Sequence, residues 1–121
     1  MECIAHFDLS RVPATWSTAL LEVPLRCLDP APPDGTVNIH CFSGDGECSI
    51  DEAGVGAMIG TETGLAGEYP TILLDVTVEM QTRIGLGAPY IAMRFVSPAG
   101  SDDYDLGSEG GVPVPTITIE P

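Results

Sequence analysis

The chain of 121 residues has no lysine at all, and its four arginines face 18 carboxylates. The missing lysine removes a set of chemistries outright: no Lys Schiff base, no Lys–Asn isopeptide staple, no phosphate-cradling lysine. A net charge of -14 excludes nucleic acid and anionic membrane surfaces as partners, since both are bound by neutralising phosphate with Lys and Arg. Aromatic residues are scarce, with one Trp, three Tyr and three Phe, and there are two histidines. No apolar run reaches the roughly 18 residues that a membrane-spanning helix needs, so membrane insertion is not expected. Nor is a secretion leader expected at this start, where Met1-Glu2-Cys3 runs straight into the apolar segment IAHFDL.

What is plentiful is glycine and proline, 14 and 11 residues, spaced so that they cut the chain into short segments. That spacing suits strands and turns better than long helices. The length is that of one domain, spanning 1–121. Residues 3–9 alternate, with Cys3, Ala5, Phe7 and Leu9 on one face. Residues 17–28 do the same with Ala19, Leu21, Val23, Leu25 and Cys27. A period of two marks half-buried strands. Pro24 lacks an amide donor, which predicts an edge strand or a bulge there.

Asp29–Gly35 (DPAPPDG) is a turn, followed by a strand over 36–42 with Val37, Ile39 and Cys41 inward. The Gly-rich stretch 51–68 holds a short strand at 57–61, and 70–76 is a strong one. Thr77 is placed to N-cap a helical turn over 78–84 that Gly85 or Gly87 stops. Strands follow at 90–97, 103–106 and 114–120. The pattern predicts an all-β sandwich.

No catalytic constellation emerges. With so many carboxylates, pairs close in sequence arise by chance, and none is marked as a glycosidase acid and base in a pocket. Ser17 and Ser108 lack a nucleophile-elbow context. His6 and His40 fall on the outward phase of their strands and read as surface histidines. Zinc would want three or four ligands.

Two acidic groups, Asp45, Glu47, Asp51 and Glu52, and Asp102, Asp103, Asp105 and Glu109, offer hard oxygens for Ca²⁺. Their spacing is not that of an EF-hand, and a solvated acidic turn is the competing reading, because Ca²⁺ wants six to eight converging oxygens. No other cofactor is expected. Tyr69 and Tyr104 lie where loops could present them to a sugar.

The cysteines have a geometric reading. If 3–9 and 17–28 pair as an antiparallel hairpin with Leu9 opposite Leu21, the same register sets Cys3 opposite Cys27, close enough for a bridge. Cys41 and Cys48 flank the turn FSGDGE and could pair likewise. The alternative is buried thiols, and the hairpin register breaks if the first two strands lie in opposite sheets.

The strings FDLSRVPATWSTALLEV, GTVNIHCFSGDGECSIDE, LLDVTVEMQTR, MRFVSP, DYDLGSEG and PTITIE together resemble DNRLRE-type domains, carbohydrate-binding-module-like jelly rolls. The resemblance spans nearly the whole chain. It implies an extracellular, cell-surface address in a bacterial exported protein, and an apolar core plug at Trp16. Two departures stand out. Gly107-Ser108-Glu109 occupies the place of the usual Ser-Arg-Glu. Only six residues precede FDLS, where such domains carry one or two further strands, so a trimmed or incomplete sandwich is expected.

The resulting expectation is a non-catalytic structural module that self-associates by strand complementation, donating Met1–Leu9 or Val114–Glu120. The alternative is a polysaccharide-binding module.

Overall fold

The structure is a computed structural model that describes residues 2–27, 35–47, 55–63, 65, 70–97, 104–106 and 115–121. Its elements are β1 (Glu2–Asp8), a 3-10 turn (Leu9–Arg11), β2 (Thr18–Cys27), β3 (Val37–Gly44), β4 (Ala57–Glu62), β5 (Thr71–Asp75), α1 (Thr77–Gly85), β6 (Tyr90–Val96), β7 (Tyr104–Leu106) and β8 (Thr116–Glu120). The strands form two antiparallel sheets. One runs β1-β6-β3-β4. In the other, β5 pairs one edge of β2, while β7 and β8 share its opposite edge. The fold is the all-β sandwich that the alternation predicts, and the expected helical turn at 78–84 is α1.

The inward residues are those of matching phase: Leu21, Val23 and Leu25 of β2, Val37, Ile39 and Cys41 of β3, Ile72 of β5, and Ile91, Met93 and Phe95 of β6. Trp16 is half-buried and packs against this core.

Two readings are corrected by the topology. β1 and β2 do not form a hairpin: β1 pairs β6, with Cys3 opposite Phe95, and β2 lies in the other sheet. Nor is β2 an edge strand. Leu25 donates its amide to the Pro70 carbonyl on the β5 side. By alternation the Pro24 nitrogen points to the other edge, and there the partner changes, from β8 opposite Thr18–Glu22 to β7 opposite Leu25–Cys27. A central strand tolerates proline when its missing donor falls at a break in the ladder.

The Asp75-Val76-Thr77 corner turns the chain from β5 into α1. Thr77 is not the N-cap, which is Val76. Asp75 Oδ1 accepts from both the Thr77 amide (2.9 Å) and its hydroxyl (2.6 Å), and these two bonds hold the Asp75 carboxyl below the usual carboxylate range. Thr77 Oγ1 in turn accepts the Ala19 amide at 3.0 Å, tying the corner to β2. At the far end Gly87 takes φ +73, with Gly87 donating to the Ile84 carbonyl and Ala88 to that of Arg83. This is a Schellman closure that favours glycine.

A Cβ on Gly87 would meet nothing within 4 Å, so Gly87→Ala isolates the cost of the left-handed backbone. It is expected to destabilise the fold by about 1 kcal/mol, read as a lower urea midpoint with an unchanged slope.

Candidate functional site

Among the described strands β1 pairs with β6, at the end of its sheet. Beside it lies a groove of about 370 Å³ whose lining includes Phe7, Leu9, Val12, Met80, Ile117 and Ile119, with His6, Asp8 and Arg11 supplying its polar part. A shallower hollow of about 450 Å³ shares Asp8 and Leu9 and continues past Ile84, Pro89 and Tyr90.

These residues converge for local reasons. Asp8 ends β1 and accepts the Ser10 amide at 2.8 Å, capping the 3-10 turn. Hydrogen bonds from the Ser10 hydroxyl and amide keep the Asp8 carboxyl below its ordinary range. Leu9 donates its amide to the Pro89 carbonyl and drops its side chain into the core. Ile117 and Ile119, the inward residues of β8, are only half-buried, since they face the groove as well as the core.

The outer face of the β1-β6-β3-β4 sheet is partly covered too. β6 is buried on both faces, including Ala92 and Arg94. Arg94 Nε donates to the Val55 carbonyl at 2.9 Å. The His6 ring packs edge-on to Phe42 and Tyr90, and its Nδ1 accepts the Gly46 amide at 3.3 Å. Gly44 leaves room for that ring, as a Cβ there would collide with it.

His6 and His40 are thus on the outer face, as their phase predicts, but half-buried rather than freely exposed; His40 Nδ1 lies 3.2 Å from the Gly56 carbonyl oxygen. The signal that was available is the unbroken apolar run YIAM in β6, the pattern of a strand covered on both faces.

The expected Cys3–Cys27 and Cys41–Cys48 bridges are not present: Cys3 and Cys41 are thiols. The first fails because the sheets separate β1 from β2, where Cys27 sits opposite Tyr104. Cys41 faces the core from β3, with the Arg83 Nη2 3.5 Å from its carbonyl oxygen; Cys48 lies outside the described residues. Burial pushes the Cys41 thiol up to about 11, against the pull of the Arg83 guanidinium.

Iodoacetamide at neutral pH is therefore expected to leave Cys41 unmodified in the folded protein and to label it after unfolding, as peptide mass mapping would report. Labelling of native Cys41 at the rate of a small-molecule thiol would contradict this placement, since the thiolate is the nucleophile.

Of the acidic residues, Asp45 and Glu47 are exposed, and Asp45 Oδ1 is engaged by the Glu47 amide at 2.9 Å. Asp51, Asp102, Asp103 and Tyr69 lie outside the described residues. Asp105 and Tyr104 stand in β7 opposite Arg26 and Cys27. Among the described residues no group of three His, Cys, Asp or Glu side chains is placed to hold a metal ion, and no helix is long and apolar enough to cross a membrane.

No protein-family model matches the chain, and no curated protein matches it. The motif resemblance to DNRLRE-type domains therefore stands on the quoted residues alone.

Proposed function

We propose that the chain is a non-catalytic structural module that associates with further copies of itself through strand complementation on the side where β1 and β8 line a groove. The observation that supports this most directly is the apolar groove on that side, lined by Phe7 of β1 and Ile117 and Ile119 of β8. A further strand laid beside a sheet adds backbone hydrogen bonds and buries apolar surface together. The extracellular, cell-surface address follows from the motif resemblance and is part of the same proposal.

Light scattering coupled to size exclusion tests it. The molar mass is expected to rise above 12.7 kDa with protein concentration. It should rise further with NaCl, because copies of charge -14 repel one another until salt shortens the range of that repulsion. A monomer at every concentration and ionic strength would overturn the reading.

A further inference from the structure

We infer that β5 is a self-complementary sheet edge, and that two copies of the chain pair there as antiparallel strands about a two-fold axis at Leu73. The contact is separate from the groove and does not depend on it.

β5 stands at the end of its sheet, with β2 on one side and no described strand on the other. The ladder to β2 shows which backbone groups are left over. Leu25 donates its amide to the Pro70 carbonyl, and Val76 donates to that of Ala19. Antiparallel pairs alternate between hydrogen-bonded and non-hydrogen-bonded. Ile72 and Leu74, in phase with Pro70 and Val76, therefore aim their amides and carbonyls at β2. Thr71, Leu73 and Asp75 aim theirs the other way, where no described strand meets them.

β5 lacks the usual protections of an edge. The strand (TILLD) has neither proline nor lysine, and its register with β2 is unbroken. The ends of the other sheet differ. β4 carries a register shift opposite Ile39 and His40, an irregularity of the kind that blunts edges. In β1, Cys3, Ile4 and His6 are already engaged in further interactions.

A second β5 is the occupant that fits. In a chain of net charge -14, the one charge of this strand is Asp75, its last residue. Antiparallel pairing centred on Leu73 sets Thr71 of each copy opposite Asp75 of the other, so the two carboxylates lie at opposite ends. The same register pairs all five residues and gives each outward amide and carbonyl a partner. Centred on Ile72 or Leu74, part of each strand would overhang. Leu73 is 56 % exposed, and Leu20, its diagonal neighbour on β2, is 43 % exposed. Pairing brings the two Leu73 side chains together on that face, as directly opposed residues meet. The contact is isologous and closes as a dimer.

Leu73→Cys places a thiol at the axis, where paired Cα atoms lie about 5.5 Å apart, within disulfide reach. Oxidised in NaCl, which shortens the repulsion between copies, this variant is expected to give a dimer bonded from position 73 to position 73, identified by peptide mass mapping. Met58→Cys, at a similarly exposed position (58 %) on β4, is the control. It is expected to form its bond at least about tenfold more slowly, because only a specific contact raises the local thiol concentration.

Leu73→Lys sets like charges opposite each other while reducing the negative charge of the chain, so non-specific repulsion falls. With an unchanged far-ultraviolet circular dichroism spectrum, it is expected to keep the monomer mass of 12.7 kDa at concentrations where light scattering shows the wild type as a dimer. A wild type monomeric throughout, a bond at 73 no faster than that at 58, or undiminished dimerisation of Leu73→Lys would overturn the assignment of β5. Association that survives Leu73→Lys would be left to the groove.

Discussion

Phe95→Ala is expected to remove a large share of the stability of this domain. Phe95 lies on β6 at the centre of its sheet, opposite Cys3 on one side and Ile39 on the other, and is fully buried. Truncating a buried phenylalanine loses its transfer free energy and leaves a cavity that its neighbours only partly fill, a cost of about 3–5 kcal/mol. A domain of this length has roughly 5–15 kcal/mol in all. At mid-range stability the variant is expected to show a urea midpoint reduced by about a third to a half, with Phe95→Leu losing much less. A Phe95→Ala loss below about 1 kcal/mol would mean that the two sheets do not meet over this residue.

The second large effect is expected at Gly56, where the β3–β4 connection re-enters the sheet. Its φ is +100, and a Cβ built there would lie 2.8 Å from the Cys41 carbonyl oxygen. That oxygen belongs to the backbone of β3, which is paired on both edges, by β4 and β6, so it cannot swing aside as a side chain would.

Gly56→Ala therefore combines a left-handed backbone carrying a Cβ, about 1–2 kcal/mol, with overpacking, about 1–3 kcal/mol. It should also weaken the contact between the Gly56 carbonyl and His40. Chemical denaturation is expected to show a loss well beyond that of Gly87→Ala, which carries the backbone cost alone. Equal losses for the two variants would show that the sheet yields around the new methyl group.

Much of the architecture was legible because strand phase is a local property. The alternation in residues 17–28 and 36–42 selected Leu21, Val23, Leu25, Val37, Ile39 and Cys41, and all of these are buried in the core. The helix was legible from its stop signal, since Gly87 does close it. Its start was misassigned by one residue, because Asp75 reaches forward and uses both donors of Thr77. Capping depends on which side chain gets there, and that is settled by the direction from which β5 arrives.

The candidate site was far less legible. The Cys3–Cys27 register was self-consistent as a hairpin and failed only because consecutive strands crossed to opposite sheets. The groove was missed altogether. Its apolar lining comes from Phe7, Leu9 and Val12 near one end of the chain, Met80 in the middle, and Ile117 and Ile119 near the other end. No local pattern relates such distant segments.

By itself, then, the sequence determined the class of fold, the inward face of the long strands β2 and β3, the helix after β5 and a net charge of -14. Each of these follows from side-chain periodicity, turn chemistry or summed charge, which neighbouring residues or composition specify. The tertiary structure alone decided that β2 is central, that Pro24 marks the change from β8 to β7, that Cys3 and Cys41 remain thiols, and that residues from both ends of the chain line one groove. Those features depend on which strands pair. Pairing is chosen by the burial of the whole core at once, a global condition that alternation within any single strand leaves undetermined.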